Sequence, residues 1–207
     1  GMGGWTWKFM RALLEAKGHN VFTPTFTGFG ERVHLIGRDV GNATHVTDVV
    51  NVLHFEDLRD VILVAHSYAG TVAPGVLAQA GERIARVIYL DAIIPYAGER
   101  IASLLGFASE ADMAGLNAVL DAGEGPIGSG VHEQQRAMAK EHPHMMNRYR
   151  EQWLLDHLSD QPMRATCCVI PVGAESITHK VDYIAAKHTI MTAMHDRART
   201  LGWTLHE

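Results

Sequence analysis

The residues best placed to do chemistry lie in one short stretch, Ala65-His66-Ser67-Tyr68-Ala69-Gly70. A serine hydroxyl becomes a useful nucleophile only when a base takes its proton and hydrogen-bond donors receive the oxyanion that forms. A buried strand that turns sharply into a helix supplies the geometry. The turn lifts the hydroxyl above the sheet and aims the next backbone N–H, here that of Tyr68, at the oxyanion. So tight a turn needs small residues two positions before and after the serine. Ala65 and Ala69 stand there, with Gly70 close behind. The usual pattern has glycine at both flanks, and one methyl at each is a modest steric departure. A competing reading makes Ser67 an ordinary helix N-cap. Strand, small residues and helix together favour the nucleophile.

Asp91 closes the next apolar run, Val87-Ile88-Tyr89-Leu90, which follows the serine's helix. It is therefore expected at the carboxyl edge of the neighbouring strand, where a carboxylate can orient an imidazole and stabilise its cation. The alternative is that Asp91 caps a turn or pairs with an arginine. His66, beside the serine, is expected to point away from it. His206 lies on the presumed last strand and reads as a half-buried strand histidine, the fallback base within the chain. Among thirteen histidines, His142-Pro143-His144 is the close pair, without a His-Glu-x-x-His pattern. Cys167-Cys168 lacks the two-residue gap of a thiolate knuckle, so no metal site is expected. Gly28-Phe29-Gly30 lacks the third glycine of a dinucleotide loop and opens no helix, so no cofactor is expected either.

The elements that must hold these residues follow from the hydrophobic pattern. Val61 to Ala65 is a continuous apolar run, the mark of a strand covered on both faces. Residues 68–80 suit a helix whose start Pro74-Gly75 delays or kinks. Upstream, Phe9, Met10, Leu13 and Leu14 recur at helical spacing within residues 5–17, and Asn20-Val21-Phe22-Thr23 reads as a short strand. Val46, Val49, Val50 and Leu53 share one face of a helix beginning near Thr44. After residue 160 the pattern predicts a strand at Tyr183-Ile184-Ala185-Ala186, a helix from Met191 to Leu201 ended by Gly202, and a last strand from Trp203. Alternation of this kind argues an α/β fold with a mostly parallel sheet flanked by helices. Residues 97–160 break the rhythm and predict an inserted helical cap, interrupted at Gly123–Gly130, with Met138, Met145 and Met146 packing it against the site mouth. The core is then 1–96 with 161–207.

Length and composition bound the rest. A chain of 207 residues, 47% hydrophobic, is enough for one domain with a sizeable core. Eighteen basic against 23 acidic side chains give a net charge of −5 with no basic stripe, which disfavours nucleic acid as a partner. No apolar run approaches the ~18 residues of a membrane span, and the N-terminus shows no signal-peptide pattern. Neighbouring Cα atoms lie ~3.8 Å apart, so Cys167 and Cys168 are expected as thiols, in keeping with a cytoplasmic protein.

Gly3-Gly4-Trp5-Thr6-Trp7, Thr25-Phe26-Thr27-Gly28-Phe29-Gly30-Glu31-Arg32, the serine hexapeptide and Tyr89-Leu90-Asp91-Ala92 with Pro95 together resemble the α/β-hydrolases of the methylesterase and hydroxynitrile-lyase group, especially bacterial esterase-like members. The resemblance implies a serine hydrolase that cleaves small carboxylic esters through an acyl-enzyme on Ser67. It also leaves two other readings. One is a hydroxynitrile lyase, with Lys187 as the lysine near the site, and the other is a non-catalytic binding protein on the same fold.

In relatives the acid often follows the strand matching Tyr183–Ala186, where this chain has Lys187-His188-Thr189-Ile190. Their histidine follows the stretch resembling Gly202–Glu207, and a His-Gly segment ahead of Gly-Gly-Trp supplies the second oxyanion donor. Gly1-Met2 stands in that place and resembles a tag-removal scar. The resemblance also places a strand ahead of Gly3, between those matching Val21–Thr23 and Val61–Ala65. Three outcomes are expected: another segment fills that slot, a second chain donates a strand as in a homodimer, or the two strands close up. Esterase activity should then be on the order of 10³-fold or more below an intact relative.

Overall fold

The β-branched run Val61–Ser67 and the longer Ile84–Ala92 pair in parallel and set the frame of the sheet. The computed structural model describes residues 1–141, 148–187, 189 and 191–207, with 138–140 and 148–151 as backbone alone. Its regular elements are, in order, α1 (Lys8–Glu15), α2 (Asn42–Phe55), β1 (Val61–Ser67), α3 (Ala73–Ala80), β2 (Ile84–Ala92), α4 (Ile101–Leu104), α5 (Glu110–Asp121), α6 (Val131–Glu141), α7 (Arg148–Asp156), α8 (Arg164–Cys167), β3 (Val181–Ile184), α9 (Thr192–Thr200) and β4 (Thr204–His206). The sheet order is β1-β2-β3-β4 and every pairing is parallel, as the strand–helix alternation predicts. No described helix is long and apolar enough to cross a membrane.

The chain forms two compact units. Residues 42–117 and 167–207 hold the sheet, and their core centres on β2 and β3: Val87, Tyr89, Ala92, Ile94 and Tyr183 are fully buried. The helix after the serine behaves as the proline demands. A 3₁₀ turn spans Tyr68–Thr71, and α3 begins two residues later with Pro74 in its first turn, where a missing N–H costs no helical bond. Gly75 lets α3 approach α2 closely, since a Cβ there would meet Val46 Cγ2 at 2.6 Å. The register at the β2–β3 step, Leu90 opposite Ile184, brings the ends of those strands to one edge.

Residues 1–41 and 118–166 form the other unit. Trp5 meets the edge of Trp153 with ring centroids 5.0 Å apart, and His157 packs on both rings. The Gly4 N–H donates to Thr25 Oγ1 at 2.7 Å, and the Thr25 hydroxyl donates to Glu31 at 2.6 Å. The Gly30 N–H donates to Ser159 Oγ at 2.7 Å. Gly30 has φ +47°, and a Cβ there would lie 2.9 Å from Trp5 Nε1, so both conformation and space call for glycine.

One expectation needs correction. Residues 20–23 join no β-ladder. Their neighbourhood is instead organised by side chains: Arg32 donates to Thr25 O and Thr27 Oγ1 at 2.8 Å each. Among the described residues β1 pairs with β2 alone, with Ile62 and Val64 exposed at 50% and 42%. β-Propensity measures fit to a neighbouring strand more than an intrinsic preference, and residues 20–23 pair with no described strand. The methionines Met145 and Met146, the side chain of Met138, and His142 and His144 lie outside the described residues.

Candidate active site

Ser67 is the last residue of β1, with φ 51° and ψ −119°. Positive φ is rare for a residue with a Cβ and marks backbone held in place by its surroundings. A strained strand-to-helix turn is what presents a nucleophilic hydroxyl. The serine side chain makes no capping hydrogen bond to the turn that follows, so the N-cap alternative is not realised.

The surroundings that hold this turn are specific. Gly70 sits so close to the segment leaving β2 that a Cβ there would lie 2.2 Å from Ile93 O. Its own carbonyl accepts from the fully buried Tyr89 hydroxyl at 2.9 Å. The Thr71 hydroxyl donates to Tyr68 O at 2.9 Å, and Asn42 of α2 donates to Thr71 O at 2.9 Å. The Tyr68 phenol and His45 Nδ1 are hydrogen-bonded at 2.6 Å. Burial holds the phenol well above its ordinary pKa, reinforced by Cys168 nearby and opposed by a hydrogen bond with Thr71.

Asp91 lies beside the serine's turn for a reason visible in the ladder. His66 pairs with Leu90, but Ser67 pairs with Ala92, so Asp91 is the extra residue of a β-bulge. It too has positive φ, 43°, and the Ile93 N–H donates to Ser67 O at 3.0 Å just past it. Bulges re-aim side chains and gather next to active sites. Asp91 Oδ1 accepts from the Ala186 N–H at 3.4 Å, in the segment leaving β3. It forms no ion pair among the described residues, so the arginine-pairing alternative is absent there. Burial holds the neighbouring His66 imidazole below its ordinary pKa, and the Asp91 charge acts in the opposite direction.

The segment after Asp91 is pinned from α9. Arg197 grips Glu99 through both nitrogens at 2.7 Å, donates to Ile94 O at 3.0 Å, and lies 4.5 Å over the Tyr96 ring. Burial pushes the Glu99 carboxyl up, but hydrogen bonds from Arg197 and the Tyr96 N–H outweigh it and leave the pKa below the ordinary value.

The other sequence candidates lie elsewhere. His206 Nε2 is 2.9 Å from Asp182 Oδ1, whose second oxygen takes Arg86 at 2.6 Å, so His206 belongs to a β2–β3–β4 charge cluster. That hydrogen bond from His206 comes first in holding the Asp182 carboxyl below its ordinary pKa; burial opposes it and Arg86 supports it. Lys187 is exposed in the turn after β3, and His188 lies outside the described residues. Among the described residues, no three His, Cys, Asp or Glu side chains gather at a metal-binding distance.

Sequence reasoning passed over Asn42 and His45. Both are buried, at 4% and 0% exposure, within the apolar stripe of α2 that carries Val46 and Leu53. A polar residue in such a stripe was the available signal, because a buried polar group must have a partner. The site thus combines a strained serine, the backbone N–H of Tyr68 following it, and a carboxylate on the adjacent strand. These are three of the parts that acyl transfer requires.

The sequence profile of the alpha/beta hydrolase family matches residues 1–204. A carbendazim-hydrolysing esterase of Nocardioides sp. (strain SG-4G) is 45% identical over 103 residues, which is 50% of this chain and 43% of that esterase. The match thus spans less than half the length of that curated relative. Among solved structures, an extracellular α/β-hydrolase from a Paenibacillus species superposes with a TM-score of 0.72 at 20% identity, covering 99% of this chain and 84% of that one. A methylesterase from Arabidopsis gives 0.69 at 20% identity over 99% and 84%, and polyneuridine aldehyde esterase (an H244A mutant) 0.73 at 15% over 100% and 86%.

Proposed function

The chain belongs to the alpha/beta hydrolase family, and from that premise we propose that it is an esterase-type serine hydrolase acting on small carboxylic esters. Ser67 is the nucleophile and forms the acyl-enzyme. The Tyr68 N–H is one oxyanion donor, and Asp91 is the acid that orients the histidine serving as base. The observation that carries this reading is the positive φ of Ser67 at the junction of β1 and a 3₁₀ turn, packed against Gly70. Holding a residue there costs ~1–3 kcal/mol, a cost with a rationale where the hydroxyl must be exposed at the sheet edge.

In the proposed reaction the base removes the Ser67 proton as Oγ attacks the ester carbonyl. The carbonyl oxygen takes the negative charge, facing the Tyr68 N–H. Collapse expels the alcohol, which leaves with the proton from the imidazolium, and water then repeats the sequence to release the acid. His206 is a weak candidate for the base, because its Nε2 is occupied with Asp182. The 45% identical relative is named for hydrolysing carbendazim, which supports a small ester-like substrate here.

Cys167 and Cys168 as thiols support a cytoplasmic setting. The test is hydrolysis of p-nitrophenyl acetate by the 207-residue chain and by its Ser67→Ala variant. Turnover that disappears in the variant supports the reading; equal rates in the two proteins refute it.

A further inference from the structure

His45 is a fully buried ionisable side chain that the proposed reaction does not use. It stands in α2 one residue before Val46, whose Cγ2 abuts Gly75 of α3, so its backbone is fixed by helix packing. Its Nδ1 lies 2.6 Å from the Tyr68 hydroxyl, and the two rings meet edge to face with centroids 5.5 Å apart. Tyr68 is the residue whose backbone N–H follows the nucleophile.

Three further bonds converge on the same peptide segment. Thr71 Oγ1 donates to Tyr68 O, Asn42 Nδ2 donates to Thr71 O, and the Tyr89 hydroxyl donates to Gly70 O. The Tyr89 and Thr71 bonds act on carbonyls within the turn, and Asn42 ties its far end to α2. The His45–Tyr68 bond adds a second anchor from α2, through the side chain of the residue that carries the amide. A residue fixed at both its carbonyl and its side-chain tip has little freedom to rotate its N–H away from a developing charge. Preorganised donors of this kind stabilise an oxyanion because they need no reorientation during the reaction.

We propose that His45 is a positioning residue for acyl transfer, holding the Tyr68 N–H on the oxyanion through the Tyr68 phenol. This rests on the reading of Ser67 as nucleophile. Removing an oxyanion donor outright costs on the order of 10²–10³-fold in rate. Releasing one end of its anchor leaves the donor present but less well aimed, so the expected loss is about tenfold.

The probe is a fluorophosphonate, followed by intact-protein mass for the inactivation rate constant and the half-saturating concentration, well below the unfolding temperature of each variant. Tyr68→Phe and His45→Leu should each lower the inactivation rate constant about tenfold with the half-saturating concentration unchanged. The double variant should be no slower than either single one, since both remove the same bond. His45→Asn, which keeps a polar atom near the Nδ1 position, should recover most of the rate. A merely structural role would not divide rate from affinity in this way, nor be rescued by asparagine. Labelled wild type with Tyr68→Phe at the wild-type rate overturns the inference alone, as do additive losses in the double variant. Wild type that takes no label on Ser67 overturns the nucleophile reading, and the inference falls with it.

Discussion

Asp91 is the residue left over when the ladder steps from His66–Leu90 to Ser67–Ala92, and it shares with Ser67 a left-handed backbone, φ 43° against 51°. The bulge therefore does two things at one point. It ends regular pairing where β1 turns away into the 3₁₀ turn, and it carries a carboxylate beside the serine's strand. Two strained non-glycine residues on adjacent strands, at the same register break, are unusual where only packing is served. Acyl transfer, as proposed, gives both of them a purpose.

Asp91 should respond differently to asparagine and alanine. Asparagine tolerates the left-handed region and keeps the shape, so Asp91→Asn should fold with near-wild-type stability. With the catalytic histidine present, its ester turnover should nonetheless fall on the order of 10³-fold, because an amide cannot stabilise the imidazolium. Asp91→Ala should lose the same activity and about 1 kcal/mol of stability besides, the left-handed cost of a Cβ without a local polar partner. Urea denaturation and p-nitrophenyl ester kinetics measure both. Full activity in Asp91→Asn would move the acid elsewhere.

Gly70 should not accept a methyl group. Its Cβ would fall 2.2 Å from a backbone oxygen, Ile93 O, which cannot swing aside as a side-chain tip does. Gly70→Ala should cost about 2 kcal/mol or more and slow ester cleavage by displacing the serine's turn. An unchanged urea midpoint would contradict the close approach.

Tyr89→Phe probes the same turn from beneath. It leaves the Gly70 carbonyl without its buried donor, and an orphaned buried acceptor costs ~1–3 kcal/mol. The loss should be visible in thermal unfolding, with the sheet signature in circular dichroism retained. Stability equal to wild type would show that this hydroxyl bond contributes nothing.

His66 gives the fold a pH dependence of known sign. Burial keeps its folded pKa low, with Asp91 opposing, whereas the unfolded chain has an ordinary value near about 6.5. The unfolded state therefore takes up the proton first. The contribution of neutral His66 is whole above about pH 6.5 and is lost as pH falls toward the folded value. Urea midpoints between pH 7.5 and 5 should decline for wild type and decline less for His66→Gln. Identical slopes would show that His66 has no part in the pH dependence.

Much of this was legible in the residues because local physics agreed with the fold. The run Val61–Ala65 entering small residues and then Pro74 dictates strand, tight turn and delayed helix, and the structure has β1, the 3₁₀ turn and α3 in that order. What stayed hidden depended on distant partners. Nothing near Asn20–Thr23 says whether a neighbouring strand exists, and there the ladder failed to form. The Asp182–His206 pair joins residues 24 apart through the sheet register, and the His45–Tyr68 bond joins α2 to the turn after β1. The bulge that places Asp91 is invisible in composition, since its cause is a mismatch between two strands. The position of Asp91 at the end of β2 was readable; its left-handed backbone was not.

Whether Ser67 is the nucleophile is tested most directly by covalent mapping. The 207-residue chain is incubated with a fluorophosphonate, digested, and the modified peptide identified by tandem mass spectrometry. The expected result is a single phosphonyl adduct on Ser67, abolished by Ser67→Ala and slowed by Asp91→Asn. An adduct on another residue, or unmodified Ser67 after prolonged exposure of folded protein, would contradict it.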